Sequence, residues 1–155
     1  MMGFGASCAA VLRLAAPPMT PGPDAVRGEL ALDPEPSSVR EARSFVREAL
    51  GGVAEDDMET AVLLASELVT NAILHTGSAV QLAVVVDDGR LLVCVGDHDE
   101  DGDVVVSHGH SVDRPGGRGL ALVDGLSDRW GTEAHDDGKT VWFILPVALT
   151  TSRAG

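Results

Sequence analysis

Long apolar runs, a set of cysteines and an excess of positive charge are all missing from this 155-residue chain. No run approaches the ~20 apolar residues that a membrane-spanning helix needs, so we expect no membrane segment. Two cysteines, Cys8 and Cys94, do not make a disulfide framework and indicate a reducing, cytoplasmic setting. A net charge of −13 would repel nucleic-acid phosphates, so we expect no direct nucleic-acid partner.

The apolar content that is present suffices for one folded domain. Hydrophobic residues make up 45% of the sequence, enough to bury one core at this length. We expect residues 1–27 to form a flexible N-terminal tail. A signal peptide is not expected there, because no basic region opens it and Arg13 interrupts its apolar part. Residues 28–148 would then form the domain, and residues 149–155 a polar C-terminal tail.

Apolar periodicity predicts helices followed by antiparallel strands. Ser38, with Glu41 three residues later, predicts a capping box at the start of the first helix. Asp87-Asp88-Gly89 between two apolar runs predicts a hairpin turn. The order favours an α+β fold, a two-layer sandwich with a mostly antiparallel sheet covered on one face by helices. The predicted elements are a short strand over 28–33, helices over 38–50 and 57–75, strands over 80–86 and 91–95, a helix over 120–126, and strands over 132–134 and 140–145.

A line of polar residues runs along the second predicted helix. Glu67, Asn71 and His75 recur every four residues and therefore share one face, beside the apolar stripe. Partly buried polar groups need partners, which a ligand or a metal would supply. By itself the pattern also fits an ordinary helix flank whose polar groups are solvated. The arc that we predict to face water fully consists of Glu59, Ser66 and Thr70.

Groups suited to a nucleotide follow the hairpin. Asp97 ends an apolar strand, where its carboxylate can accept a hydrogen bond from an exocyclic amine such as that of adenine. Gly116-Gly117-Arg118-Gly119 runs directly into a short helix, whose N-terminus offers free N–H groups to a phosphate. Neither P-loop nor Rossmann spacing is present. Thr140, at the start of the last strand, can point at whatever lies between the helices and the sheet.

Together these segments resemble the GHKL, or Bergerat-fold, family of ATP-binding domains, and within it the small anti-sigma-factor serine kinases. The resemblance covers about residues 30–146 and implies the histidine-kinase-like ATPase fold. The segments that carry it are Ser66-Glu67-Leu68-Val69-Thr70-Asn71-Ala72 with His75, similar to the N box; Asp97, similar to the aspartate of the first glycine box; Gly117-Arg118-Gly119-Leu120-Ala121-Leu122-Val123, similar to the second glycine box; and Gly138-Lys139-Thr140-Val141-Trp142-Phe143, similar to the closing strand.

The resemblance implies a site for ATP and Mg²⁺. It implies that Asn71 coordinates the metal, that Glu67 is the general base, and that Asp97 binds the adenine amine with Thr140 close behind it. The other nucleotide-binding positions that it implies are His75, Gly117, Arg118, Gly119 and Leu120.

The resemblance also implies an activity and its partners. The domain would phosphorylate a serine of an anti-sigma antagonist and sequester a sigma factor, so both partners would be proteins. Members of that branch often form homodimers, and a homodimer is therefore a form to expect of this chain.

The acidic stretch after Asp97 leaves two alternatives open. Where the family usually has glycine two residues after the aspartate, this chain has Asp99, whose bulk and charge oppose a polyanionic ligand; a kinase-inactive binding module with the same fold is one alternative. The other is a calcium-binding loop, because Asp97 to Val104 fits the start of an EF-hand loop. Against calcium, the twelfth position is His108 and the run follows a strand. A site formed by His98, His108 and His110 is weaker still.

Overall fold

In the part of the chain that the structure describes, five antiparallel strands form one sheet, and helices cover one of its faces. The computed structural model describes residues 19–97, 117–135 and 138–149. The strand order is β1-β2-β3-β5-β4, and every neighbouring pair is antiparallel. The predicted fold class, an α+β two-layer sandwich, is confirmed. The elements of the described residues are β1 Val26–Leu32, α1 Ser37–Ala49, α2 Glu55–Thr76, β2 Val80–Asp87, β3 Arg90–Gly96, α3 Gly117–Leu126, β4 Arg129–His135 and β5 Gly138–Pro146.

The start of α1 differs from the prediction. The helix begins at Ser37 with Pro36 at its N-cap position, and no side-chain hydrogen bond caps it. Ser38 lies inside the helix and is buried, so the predicted capping box is wrong. The reason is a tight turn, in which the N–H of Ser38 donates to the carbonyl of Glu35 and that of Val39 to the carbonyl of Pro36. These bonds satisfy helix N–H groups that a side-chain cap would otherwise serve.

The long helix α2 begins two residues before its predicted start. Glu55, Asp56 and Asp57 form its first turn, where negative charge favours the helix dipole. Gly77, with φ of 65°, ends it in the left-handed conformation that favours glycine. Although α2 has 22 residues, neither it nor another helix within the described ranges is long and apolar enough to cross a membrane.

The predicted hairpin between β2 and β3 is confirmed. Asp87 pairs with Arg90 across the turn, and the two residues between them both have positive φ, 52° at Asp88 and 76° at Gly89. Positive φ at both central positions is typical of the type I′ turn, whose twist matches that of the strands.

The two faces of the sheet carry separate apolar clusters. The face toward the helices joins α1, α2 and α3 to the sheet around Phe143 and Leu64, both fully buried. The opposite face, which we call the outer face, carries Ala83, Val85, Leu92, Cys94, Trp142 and Ile144, with Met19 and Ala25 packed against them. Met19 is buried, and β1 begins at Val26. The structured chain therefore begins before the boundary predicted at residue 28.

Candidate functional site

The polar line on α2 lies at the border between exposed and buried surface. Glu67 and Asn71 are both half-buried, one helical turn apart. His75 belongs to the same helix, but its side chain lies outside the described part of the structure. The buried neighbours Leu64 and Leu68 flank Asn71 on the core side. Two polar groups on α2 are thus held at the rim of the core, where a ligand or a partner can reach them.

The exposed arc of α2 is not the one that the sequence predicts. Glu59 is exposed as expected, but Ser66 is only 3% exposed and Thr70 is half-buried. Their hydroxyls bond within the helix, since Ser66 Oγ donates to the Leu63 carbonyl at 2.9 Å and Thr70 Oγ1 to the Ser66 carbonyl at 2.7 Å. Such local bonds let small hydroxyl residues be buried at low cost. Leu63 and Leu74, which are 40% and 63% exposed, line the side of α2 next to Glu67.

Asp97 is fixed at the end of β3 by three contacts to one residue of β5. Asp97 lies one residue beyond the end of β3, and its backbone N–H donates to the Lys139 carbonyl at 3.0 Å. Its carboxylate accepts a hydrogen bond from the Lys139 N–H at Oδ1, 3.3 Å, and pairs with Lys139 Nζ at Oδ2, 3.1 Å. The Asp97 side chain is only 4% exposed and that of Lys139 17%. A buried carboxylate therefore stands at the strand end with a cation beside it.

Thr140 does not share the sheet face of Asp97. It pairs with Gly96, directly after the Cys94–Trp142 pair of the outer face, whereas Val95 and Val141 belong to the cluster under the helices. Because side chains alternate along a strand, Thr140 lies on the outer face and is fully buried. The expected placement of Thr140 between helices and sheet is wrong. Lys139 takes that place, next to Asp97.

The end of the glycine-rich segment, from Gly117 onward, forms the first turn of α3. The backbone of Gly117, Arg118, Gly119 and Leu120 is helical, three residues earlier than predicted, while their side chains lie outside the described part. Farther along α3, Val123 is fully buried in the main core. The helix packs against α2. The first described turn of α3, whose backbone N–H groups can receive a phosphate, thus belongs to a helix that packs against the one carrying Glu67 and Asn71.

Little of the acidic stretch falls on described residues. Asp99, His98, His108 and His110 all lie outside them, so both the departure from the glycine box and the histidine site remain sequence hypotheses. Asp97, the first position of the EF-hand-like pattern, is paired with the ammonium of Lys139, which disfavours calcium at that carboxylate. Within the described ranges, no group of three His, Cys, Asp or Glu side chains could hold a metal ion.

The site residues lie on two layers of the fold, the helix α2 and the sheet. Helix α2 contacts β2, β3 and β5, so the helix with Glu67 and Asn71 lies over the strands that position Asp97 and Lys139. Sequence reasoning missed Lys139, because β5 carries apolar residues on both faces and its sequence does not show which face Lys139 occupies.

Comparison with known families assigns the class of the domain. Residues 32–145 match the family described as "Histidine kinase-like ATPase domain". Because that match covers most of the chain, the protein belongs to this family, and the resemblance recognised in the sequence is confirmed at that level. A search of curated proteins finds no match.

Solved structures share the fold. The RsbU and RsbW domains of Rv1364c from Mycobacterium tuberculosis superpose with a TM-score of 0.60 and 21% identity, over 81% of this chain and 34% of that one. The histidine kinase domain of the blue-light activated histidine kinase from Erythrobacter litoralis EL346 gives a TM-score of 0.52 and 22% identity, over 72% of this chain and 60% of that one. The chain thus spans about a third to three fifths of the proteins that it resembles.

Proposed function

We propose that this domain binds ATP with Mg²⁺ between α2 and the sheet. The observation that carries the proposal is Asp97, a carboxylate only 4% exposed that is fixed at the end of β3 on the helix-facing side of the sheet. A carboxylate buried there needs a functional reason, because desolvation of a charge is costly even when it is paired. An exocyclic amine of a nucleobase is a donor that such an acceptor can bind.

The described residues suit the phosphate end of the ligand as well. Asn71 offers an amide oxygen at the core rim of α2, and hard oxygen ligands are those that Mg²⁺ prefers. The backbone N–H groups at the start of α3 would receive phosphate oxygens. The bound metal would neutralise charge on the phosphates. We assign His75, Arg118 and Leu120 to the same pocket from the family resemblance alone.

We further propose that the domain is a serine kinase acting on an anti-sigma antagonist, and that it sequesters a sigma factor. Glu67 would take the proton of the serine hydroxyl as that oxygen bonds to the γ-phosphorus; the bond from phosphorus to the β–γ bridging oxygen breaks, and ADP leaves. Glu67 is half-buried beside the exposed Leu63 and Leu74. These exposed leucines give a protein substrate an apolar surface to contact next to the general base Glu67.

Titration calorimetry with ATP and Mg²⁺ tests the nucleotide site. The parent should show saturable binding, and Asn71→Ala should lose the Mg²⁺-dependent part. Thr60→Ala is the matched control, since it removes another half-buried polar side chain of α2, at a distance of roughly 16 Å along the helix. Mg²⁺-dependent affinity that survives Asn71→Ala would exclude the assignment of Asn71, and no binding by the parent would exclude the ATP site.

The kinase-inactive binding module is tested on the same protein. That alternative rests on the sequence, in which Asp99 stands where the family usually has glycine. Saturable ATP binding without phosphate transfer to any anti-sigma antagonist of the source genome would favour the module over the kinase.

A further inference from the structure

We propose that Lys139 is a base-selecting residue that acts together with Asp97. Lys139 Nζ donates a hydrogen bond to ring nitrogen N1 of adenine, while the Asp97 carboxylate accepts one from the 6-amino group. The inference rests on the proposed nucleotide site and deepens it, since it names a residue that distinguishes one base from another.

Lys139 is unusual in the sequence and in its position. It is the only lysine of the chain, which otherwise carries arginine and histidine as basic residues. Its side chain is 17% exposed, while lysines are seldom buried. It pairs with a carboxylate that is buried more deeply still. Replacing a buried ion pair by apolar residues is often neutral or stabilising, so stability gives a weak account of why this pair is present.

The Asp97–Lys139 pair offers a ligand one hydrogen-bond acceptor and one hydrogen-bond donor whose roles cannot be exchanged. An ammonium group only donates hydrogen bonds, and a carboxylate only accepts them. Nζ and Oδ2 lie 3.1 Å apart, so a donor stands directly beside an acceptor. The 6-amino group and N1 of adenine offer the complementary pattern, a donor beside an acceptor. A hydroxyl such as that of Thr140 could serve either role, but Thr140 lies on the outer face.

The ion pair does not have to open for the base to bind. A carboxylate has about four lone-pair sites and an ammonium group three N–H donors. Lys139 directs its Nζ to Oδ2 and its backbone N–H to Oδ1; one of the three ammonium donors serves this ion pair, and a carboxylate oxygen can accept more than one hydrogen bond. Lys139 therefore can hold the carboxylate in place and contact the base at the same time.

Analogues that lack one ring nitrogen test the proposal. The affinities of ATP, 1-deaza-ATP and 7-deaza-ATP are measured with Mg²⁺ for the parent, Lys139→Met and Lys139→Arg. The parent should bind 1-deaza-ATP about tenfold more weakly than ATP, as expected for the loss of one charge-assisted hydrogen bond. Lys139→Met should bind the two alike, and Lys139→Arg should restore the difference. 7-deaza-ATP, which keeps N1 and is altered on the other edge of the base, should show the same affinity relative to ATP in all three proteins.

Three outcomes would overturn the proposal. An equal penalty for 1-deaza-ATP in the parent and in folded Lys139→Met would show that Lys139 does not contact N1. Tighter ATP binding by Lys139→Met with an unchanged penalty would show that the lysine competes with the base for Asp97. Both leave the nucleotide site standing if Asn71→Ala still loses the Mg²⁺-dependent part of ATP binding. A parent that binds no ATP overturns the proposed function and this inference with it.

A measurement on the parent covers the case in which Lys139→Met does not fold. Because the chain has one lysine, protein labelled with ¹³Cε-lysine gives one side-chain signal in the NMR spectrum. Saturating ATP should shift that signal further than saturating 1-deaza-ATP does. Equal shifts with the two nucleotides would contradict a contact between Lys139 and N1.

Discussion

Gly131 of β4 lies directly opposite Trp142 of β5, and the indole occupies the space that a side chain at Gly131 would need. A Cβ at Gly131 would lie 2.8 Å from Cζ2 and 3.0 Å from Cε2 of Trp142. Trp142 is buried in the outer-face cluster, and the Arg129 guanidinium lies 5.9 Å from its ring centroid. The ring is held from several sides, so it cannot retreat without disturbing this cluster.

Gly131→Ala should therefore destabilise the domain by about 1–3 kcal/mol, the usual cost of forcing extra volume into a packed cluster. Urea unfolding measures the change. Gly125→Ala is the matched control, because a Cβ at this exposed position of α3 meets nothing within 4 Å. Alanine is the better helix former there, so this variant should gain up to about 1 kcal/mol. Losses of the same size in both variants would mean that Trp142 is not the cause.

Two adjacent leucines of α2 test the assignment of its faces. Leu64 is fully buried in the main core, whereas Leu63 is 40% exposed. Leu64→Ala should lower the free energy of unfolding by about 2–5 kcal/mol, through lost burial and the cavity left behind.

Leu63→Ala makes the same chemical change on the same helix and is the control. It should cost less than about 1 kcal/mol, since much of the side chain is already in water. Equal losses of unfolding free energy in the two variants would contradict the assignment of Leu64 to the buried face of α2 and of Leu63 to the exposed face. The placement of Glu67 at the rim of the core would then be wrong as well. If Leu63 contacts the protein substrate, Leu63→Ala should also weaken that contact while ATP affinity is unchanged.

The sequence predicts elements well where one chemical signal dominates. Two patterns each predict a single local structure. They are the apolar stripe of α1, with Ala42 and Val46 fully buried, and the Asp-Gly turn of the hairpin. At the start of α1 two signals compete, since Ser38 with Glu41 resembles a cap while the residues from Glu35 to Pro36 form a turn. Backbone carbonyls satisfy the N–H groups in that turn, which side-chain patterns do not reveal.

The prediction of the sheet face on which Thr140 lies was wrong for a different reason. β5 is buried on both sides, with Phe143 under the helices and Trp142 and Ile144 on the outer face. Polarity therefore does not alternate along the strand, and the period that normally separates the two faces is hidden. Only the register with β3, in which Thr140 pairs with Gly96, assigns Thr140 to one face and Lys139 to the other. Prediction of the site thus failed at β5 because both faces of this strand are apolar.

The hairpin turn offers a test of backbone conformation. Gly89 has φ of 76°, and a Cβ there would only reach ordinary contact with the Val147 carbonyl, at 3.6 Å. Gly89→Ala should therefore cost about 1–2 kcal/mol through the left-handed conformation itself. Asp88, with φ of 52°, is the control position, because asparagine is favoured there and Asp88→Asn should be neutral or slightly stabilising. Thermal melts of both variants measure the difference, and an unchanged Gly89→Ala would contradict the turn.

The Arg47–Glu59 pair joins α1 to α2 and predicts a small pH dependence. Arg47 Nη1 donates to Glu59 Oε2 at 3.1 Å, and this hydrogen bond, followed by the charge of Arg47, lowers the pKa of Glu59. A lowered pKa in the folded state stabilises above the ordinary pKa of glutamate, and that stabilisation is lost as the pH falls through the lowered value. Both side chains are about half exposed, so the effect should be small and weakened by salt.

Glu59→Gln should accordingly lower the melting temperature slightly at neutral pH, and the difference from the parent should vanish in acid. Glu41→Gln, an exposed position of α1, controls for the loss of one negative charge from a chain that carries a net charge of −13. An effect of Glu59→Gln that persists below the lowered pKa would show that the carboxylate charge is not its source.

Glu67→Gln separates binding from transfer under the proposed kinase function. Glutamine keeps the size and the acceptor oxygen of Glu67 but cannot take the serine proton. ATP affinity should therefore be preserved, while phosphate transfer to the antagonist should fall by about 10²–10⁴-fold, the usual contribution of a general base. Thr60→Ala, on the same helix, should leave both quantities unchanged. Equal transfer rates in Glu67→Gln and the parent would dismiss Glu67 as the base, whereas loss of ATP affinity would move its role to the nucleotide. Because Glu67 stands next to the exposed Leu63 and Leu74, the affinity for the antagonist must be measured as well, so that a weaker encounter is not mistaken for slower chemistry.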